Sequence, residues 1–139
     1  LRAILESHWP LDIVIISLGT NDLKFRHGVS AFDIASSIGT LVDLVRATPM
    51  RGKPMPKILV IAPPPILEAG WLAEMFAGGQ MKSEALGASI ARMAAQRQVA
   101  FLDLAPIAKV SPIDGIHFDE ATHHAIGAAV HKAVIPLLT

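Results

Sequence analysis

Three short apolar runs alternate along the chain with longer segments of helical periodicity. The runs cover residues 11–18, 57–62 and 99–102. They are rich in β-branched and aliphatic residues, and they stop at a glycine, a proline and an aspartate, as buried strands do. The first run is almost continuously apolar, which predicts a strand that is buried on both faces.

Between these runs, apolar residues recur every three or four positions, which predicts helices. Ser30 is a predicted N-cap, and Asp33 stands three residues later as its capping-box partner. The last helix is predicted to begin at about Glu120. The residues that share an apolar stripe are Leu1, Ile4 and Leu5 at the start, Ile34, Ile38, Leu41, Val42 and Val45 next, then Leu86, Ile90, Met93 and Ala94, and finally Ile126, Ala129, Val130, Ala133, Val134 and Leu137.

The predicted order of elements is helix, strand, helix, strand, helix, strand, helix. This alternation indicates an α/β protein with a parallel sheet that helices cover on both faces. Ligands of such sheets bind beyond the carboxyl ends of the strands. Residues 19–22, 62–66 and 103–117 should therefore lie along one rim. The length of 139 residues suits a single domain over residues 1–139.

Two connecting segments have a distinct composition. Residues 48–56 are rich in proline, glycine and basic residues and predict an exposed turn. Residues 66–79 are long and apolar. They form either a flap packed on the core or a wall of a substrate pocket or subunit contact, since pockets are mostly apolar. The apolar side chains in question are Leu67, Trp71, Leu72, Met75 and Phe76.

Charge and cysteine content narrow the range of partners. The chain has 12 lysines and arginines and 12 aspartates and glutamates, so its formal net charge is +0. Neither sign forms a block, which argues against nucleic acid or an anionic membrane surface as a partner. No apolar run approaches the roughly 18 residues of a membrane span. With no cysteine, disulfides and thiolate metal sites are excluded. We expect a small, neutral molecule as the partner.

Polar residues that suit acyl chemistry follow the first strand. Gly19 permits a tight turn, and the Asn21 amide just beyond it could donate a hydrogen bond to a developing oxyanion above the rim. The competing interpretation is that Asn21 and Asp22 only cap a turn through bonds from their side chains to the backbone. The motif alone leaves both interpretations open.

A second polar motif, Asp114-Gly115-Ile116-His117, precedes the last helix. The spacing, with a flexible glycine, lets the Asp114 carboxylate fold back onto the His117 imidazole. Such a carboxylate fixes the tautomer of the ring and stabilises the imidazolium that forms when the ring takes a proton. The competing interpretation is a surface histidine beside an aspartate that caps a turn.

Taken together and in this order, the two motifs resemble the third and fifth conserved blocks of the SGNH (GDSL) hydrolases. Residues 11–22, the prolines at 63–65, residues 76–82 and residues 114–118 are similar to the arylesterase and acyltransferase branch. The resemblance covers nearly the whole chain. It implies a three-layer α/β/α, flavodoxin-like fold and a serine esterase that hydrolyses small esters or transfers their acyl groups.

The resemblance also implies roles for three residues: His117 as general base, Asp114 as the acid that orients it, and Asn21 as a donor in the oxyanion hole. The family blocks that carry the nucleophilic serine and the second oxyanion donor have no counterpart in this sequence. None of the eight serines follows a strand in a Gly-Asp-Ser context. We therefore expect the chain to be the carboxyl-terminal part of a longer esterase and to be inactive alone. The alternative is a noncatalytic binding module.

The resemblance has a further implication for the sheet. In the family's strand order the nucleophile strand lies beside the first strand of this sequence. Without that neighbour, residues 13–18 should form an exposed apolar edge that favours self-association. A homo-oligomer is compatible with this expectation.

A metal site is the rival chemistry, because His117, Asp119, His123 and His124 lie close together in sequence. However, His123 and His124 are neighbours on a predicted helix and would point about 100° apart. We therefore expect neither a metal ion nor a cofactor, and a small-molecule ester as the substrate.

Overall fold

The structure is a computed structural model that describes residues 1–49 and 52–138. In these ranges helices and strands alternate in the predicted order, and the α/β prediction is confirmed. None of the helices in this part of the chain is long and apolar enough to cross a bilayer. The elements are α1 (Arg2–Ser7), β1 (Ile13–Ser17), α2 (Ala31–Ala47), β2 (Lys57–Ala62), α3 (Gly79–Gln96), β3 (Ala100–Asp103) and α4 (Glu120–Leu138), with short 3-10 turns at Asn21–Leu23, Phe25–His27 and Gly70–Leu72.

The described strands form one parallel sheet in the order β1-β2-β3. Because side chains alternate along a strand, the central strand contributes to both faces of the sheet. Ile58 and Val60 pack with the apolar stripes of α2 and α3. Leu59 and Ile61 pack with the stripe of α4 on the opposite face. The result is the three-layer arrangement that the sequence predicts.

The α2 and α3 layer is the better buried of the two. The capping box that starts α2 is present: Ser30 Oγ accepts from the Asp33 amide at 3.2 Å, and the Ser30 amide donates to Asp33 Oδ2 at 2.9 Å. The predicted stripe positions Ile34, Val42 and Leu86 are all buried. This layer therefore supplies most of the apolar burial that stabilises the fold.

A salt bridge ties α2 to the end of α3. The Arg97 guanidinium donates to both carboxylate oxygens of Asp43, at 3.0 and 2.9 Å. It lies directly over Gly39, where an added Cβ would stand 2.6 Å from the Arg97 Cζ atom. A second arginine, Arg46, donates to the Arg97 carbonyl at 2.6 Å. Glycine at position 39 thus makes room for the guanidinium between the two helices.

The opposite layer is thinner. In α4 the predicted inward positions Ile126, Val130, Val134 and Leu137 do pack on the sheet. They are only half-buried, however, and no residue of α4 in the described range is fully buried. The stripe is correctly predicted, but a single helix cannot cover the whole of this face.

Strand β1 differs from its prediction. It spans Ile13–Ser17, and of its side chains only Ile16 is buried, whereas Ile15 is 42 % exposed. The physical reason is position: within the described residues β1 pairs with β2 alone, and α4 lies mainly over β2 and β3. The prediction of burial on both faces is therefore wrong, and the expectation of an exposed apolar edge is confirmed.

The predicted turn at residues 48–56 is exposed only in part. Residues 52–55 are exposed, but Thr48 and Pro56 at its two ends are buried. Thr48 is held by its hydroxyl, which donates to the Leu44 carbonyl at 2.8 Å. Met50 and Arg51 lie outside the described residues.

The geometry of β1 generates a prediction for amide exchange. The Asp12 carbonyl accepts from the Lys57 amide at 2.9 Å, so the backbone groups of Val14 and Ile16 also point towards β2. Those of Ile15 and Ser17 point to the open edge. We expect slow hydrogen exchange at Val14 and Ile16 and fast exchange at Ile15 and Ser17, measured by NMR on the dilute chain. Strong protection of the Ile15 amide would mean that a second strand already pairs with β1.

Candidate active site

The rim at the carboxyl ends of the strands collects the polar motifs, as expected for a parallel sheet. Gly19 follows β1 with a φ of +121°, a backbone conformation that favours glycine. A Cβ there would lie 3.3 Å from the Leu86 side chain and 3.4 Å from that of Ile34. The glycine therefore lets the chain turn tightly against the core before it reaches Asn21.

Asn21 begins the first 3-10 turn and is exposed. The turn is closed by backbone bonds, from the Leu23 amide to the Thr20 carbonyl at 3.2 Å and from the Lys24 amide to the Asn21 carbonyl at 3.4 Å. Within the described part of the chain, neither the Asn21 nor the Asp22 side chain makes a hydrogen bond to the protein. In this part of the chain no side-chain bond supports the turn-capping interpretation, and the role of Asn21 in an oxyanion hole stays a prediction.

The loop that carries Asp114 and His117 is folded around the aspartate. Asp114 Oδ1 accepts from the amides of Ile116 and His117, at 2.9 and 3.0 Å. Asp114 Oδ2 lies 2.6 Å from His117 Nδ1. Gly115 makes this possible with a φ of +75°. The structure contains features of both interpretations: one carboxylate oxygen reaches the imidazole, while the other caps the turn below an exposed histidine.

This geometry sets the chemistry of the ring. A carboxylate that accepts the Nδ1 proton leaves Nε2 of the neutral imidazole unprotonated, so Nε2 can accept a proton from a hydroxyl group. The His117 side chain is 68 % exposed and the Asp114 side chain only 13 %. The carboxylate is thus largely shielded from solvent, whereas the ring is mostly accessible to it.

Residues 66–79, here called the 66–79 segment, touch both parts of the candidate site. The Leu67 amide donates to the Gly115 carbonyl at 2.9 Å, and the Phe25 amide donates to the Met75 carbonyl at 2.9 Å. No direct bond joins Asn21 to Asp114 or His117 among the described residues. The sequence analysis did not predict that the 66–79 segment joins the two motifs. The only local signal for it is the pair of glycines at positions 70 and 115.

The composition of the 66–79 segment fits both interpretations made from its sequence. Leu72 and Phe76 are buried in the core, whereas Trp71 is 75 % exposed. Trp71 and Met75, together with Phe25, line a shallow depression of about 430 Å³. Its inner side chains therefore pack as a flap, and its outer ones form an apolar surface beside the rim.

None of the eight serines forms a hydrogen bond with the His117 ring. In the described part of the chain, which includes all eight serines, the His117 ring forms a hydrogen bond only with Asp114. Ser111 belongs to the same loop, but its hydroxyl accepts from the Ile113 amide at 3.2 Å. Ser83 and Ser89 are buried in α3.

The side chains considered for a metal site, those of Asp119, His123 and His124, contact other residues of the chain. Asp119 caps α4, accepting from the Thr122 amide at 2.8 Å. The His123 ring packs edge-on against Phe118, and His124 lies 3.8 Å from Glu120. No three potential ligands converge among the described residues.

The hydrogen bonds to Asp114 generate a prediction about its ionisation. The donors, in order of effect, are the His117 amide, the His117 ring and the Ile116 amide, and they lower the pKa of Asp114 from 3.8 to about 2. In the unfolded chain the pKa of an aspartate carboxyl is about 3.9. The stability that Asp114 contributes should therefore be present above about pH 4 and be lost as the pH falls through about 2.

Carbon-13 NMR of the Asp114 carboxyl, followed as a function of pH, measures the pKa of this group directly. In His117→Ala the two backbone donors remain, so the pKa of Asp114 should rise but stay below 3.8. An unchanged pKa in the variant would show that the ring does not act on the carboxylate.

Comparisons with known proteins agree with these observations. The profile of the GDSL-like Lipase/Acylhydrolase family matches residues 1–125. Est24, a carbohydrate acetylesterase from Sinorhizobium meliloti, is 37 % identical with a TM-score of 0.92, over 98 % of this chain and 66 % of Est24. The aryl esterase of M. smegmatis is 36 % identical with a TM-score of 0.93, over 99 % of this chain and 66 % of that enzyme. No curated protein matches.

The chain therefore spans 66 % of the length of these two structures. The match to the family profile extends over most of the sequence, and the structural likeness extends over nearly all of it. On these grounds the chain belongs to the GDSL-like lipase and acylhydrolase family, the SGNH hydrolases.

Proposed function

We propose that this chain provides the base, the orienting acid and an oxyanion donor of an esterase whose nucleophilic serine lies outside these 139 residues. The observation that carries the proposal is the 2.6 Å hydrogen bond between Asp114 Oδ2 and His117 Nδ1, with the ring exposed at the rim of the sheet. Family membership supports the reaction class, since the similar structures are those of a carbohydrate acetylesterase and an aryl esterase.

In the proposed reaction the serine oxygen attacks the ester carbonyl while His117 Nε2 takes the hydroxyl proton. The carbonyl oxygen becomes an oxyanion that accepts a hydrogen bond from the Asn21 amide. Collapse of this intermediate breaks the bond to the alcohol, which leaves with the proton from His117. Water then attacks the acyl group held on the serine while His117 Nε2 takes its proton. The bond to the serine oxygen breaks, the serine regains the proton from His117, and the acid is released; an alcohol in place of water gives acyl transfer.

We propose that the segment that carries the nucleophilic serine binds at the exposed edge of β1. The backbone groups of Ile15 and Ser17 point away from β2, and the side chains of Ile15 and Leu18 are 42 % and 53 % exposed. A further parallel strand on this edge would satisfy the backbone and cover the apolar side chains. Its carboxyl end would then reach the same rim as Asn21.

For the substrate we propose small esters of ring-shaped alcohols, either carbohydrates or phenols. The depression beside the rim offers Trp71 and Phe25 as flat apolar surfaces, and Arg26 and Glu74 as polar groups at its border. Aromatic faces suit the apolar face of a ring, and a few charged groups suit its hydroxyls. The names of the two similar enzymes favour the same class.

The alternative is a noncatalytic binding module. The observation in its favour is that no serine in the described part of the chain bonds to the His117 ring. Under both proposals the purified chain should not hydrolyse an aryl acetate, and hydrolysis that His117→Ala abolishes would contradict both.

A hybrid protein separates the two proposals. Residues 1–139 would replace the matching region of Est24, which supplies the remainder of its own chain. The esterase proposal expects the hybrid to hydrolyse an aryl acetate. Asn21→Ala should lower kcat by about 10²- to 10³-fold, because the Asn21 amide binds the oxyanion of the transition state more strongly than the carbonyl oxygen of the bound ester. His117→Ala should lower kcat further.

His131→Ala is the matched control, because this histidine is exposed on α4. It should leave kcat unchanged. A folded but inactive hybrid, or equal small effects of the Asn21 and His117 variants, would overturn the assigned roles.

Trp71→Ala tests the substrate surface in the same hybrid. Loss of one aromatic contact, worth about 0.5–1.5 kcal/mol, should raise KM for an aryl ester by about 2- to 10-fold with little change in kcat. Phe32→Ala is the control, since Phe32 is 70 % exposed but lies in a groove between α2 and α3. An equal KM for both variants would place the substrate elsewhere.

A further inference from the structure

We propose that Gly70 is a positioning residue: by allowing the backbone of the 66–79 segment to touch the loop at Ile113 and Asp114, it sets where His117 stands at the rim. This inference rests on the proposed function, in which His117 is the base. It concerns a residue that touches no substrate and acts only through the loop.

The contact between the two backbones depends on glycine on both sides. A Cβ on Gly70 would overlap the Ile113 carbonyl oxygen and lie 3.0 Å from the Cα atom of Asp114. A Cβ on Gly115 would overlap the Leu67 carbonyl oxygen. Both overlaps involve backbone atoms, which cannot rotate aside as the end of a long side chain can. The approach therefore excludes every side chain at the two positions.

The 66–79 segment is fixed at its root on α3. The Ile66 amide donates to the buried hydroxyl of Ser83 at 3.0 Å. The Glu68 amide donates to Gln80 Oε1 at 3.2 Å, and the Gln80 amide donates to Glu68 Oε1 at 3.1 Å. Because α3 is part of the main core, these bonds attach the start of the segment to the well-packed part of the fold.

The far end of the segment reaches the residues that follow Asn21. Met75 accepts from the Phe25 amide, and Lys24 Nζ lies 5.7 Å from the centre of the buried Phe76 ring. At Gly79 a Cβ would stand 3.0 Å from the Leu23 carbonyl oxygen, so the two backbones are close here too. One segment thus contacts both the turn that carries Asn21 and the loop that carries His117.

This arrangement explains how the two motifs keep a fixed relation without bonding to each other. The loop of Asp114 and His117 is closed internally by the Ser111 amide to the His117 carbonyl at 2.7 Å and by the Gly115 amide to the Ser111 carbonyl at 2.8 Å. Neither of these two bonds involves Ile113 or Asp114, which are the residues that Gly70 approaches. The place of Asp114 relative to its donors, and of His117 on the rim, therefore depends also on contacts from outside the loop. Displacement of a catalytic group by about 1 Å can lower the rate by about 10²-fold.

The test compares Gly70→Ala with Gly28→Ala. The two glycines have the same left-handed backbone, with φ of +61° and +62°, but a Cβ on Gly28 meets nothing within 4 Å. Both variants carry the same local strain, and only the first pushes on the loop. In the Est24 hybrid, Gly70→Ala should lower kcat by about 10²-fold with KM nearly unchanged, whereas Gly28→Ala should leave kcat intact.

A second measurement uses the chain by itself. In Gly70→Ala the carboxyl carbon of Asp114 should titrate at a higher pH than in Gly28→Ala, because moving Asp114 weakens its hydrogen bonds. If the hybrid has no activity at all, the proposed function fails, and this titration still decides the role of Gly70. Equal kcat and equal titration in the two variants would overturn the proposal.

Gln80→Ala covers the case in which Gly70→Ala does not fold. Gln80 is half-buried at the start of α3, and its loss removes the acceptor of the Glu68 amide. The loosened segment should lower kcat by a smaller factor and shift the Asp114 titration in the same direction. A Gln80→Ala protein with unchanged kcat and unchanged titration would overturn the proposal.

Discussion

Parallel hydrogen bonding of β2 to both of its neighbours decides where the polar motifs of this chain lie. With β1 and β3 running in the same direction as β2, each strand delivers its following loop to one rim. The buried side chains of β2 anchor the helices on both faces, so the rim is held by the most rigid part of the molecule. Asn21 and His117 are far apart in sequence, and this pairing is what brings their loops to the same side.

The parts of the structure that sequence predicts are those set by neighbouring residues. The capping box of Ser30 and Asp33 depends on a spacing of three residues, and the bond from Asp114 to His117 is equally local. The helical stripes follow from period alone. What the hydrophobic pattern alone did not predict is set by distant residues. The exposure of Ile15, which followed only from the family resemblance, depends on what lies beside β1, and the need for glycine at position 70 depends on the path of Ile113. The roles of Asn21, Asp114 and His117 stay predictions, because they depend on where the nucleophile lies.

The electrostatics of the rim come from hydrogen bonds more than from burial. Two backbone amides and an imidazole hold the Asp114 carboxylate ionised, with its pKa lowered to about 2. The His117 ring above it is mostly exposed. The hydrogen bond to Asp114 therefore fixes the orientation of the ring while most of the ring stays accessible to solvent.

The attachment of the 66–79 segment has a consequence for heat resistance. Single hydrogen bonds and a few close approaches hold it to the Asp114 loop, whereas α2 and α3 share an extensive apolar core. Regions with few buried contacts open at a lower free-energy cost than the whole fold. Warming should therefore detach the loop of Asp114 and His117 from the 66–79 segment while the helices are still intact. An enzyme built on this chain would then inactivate below its melting temperature. Since the core survives such local opening, cooling would restore the site without refolding of the chain.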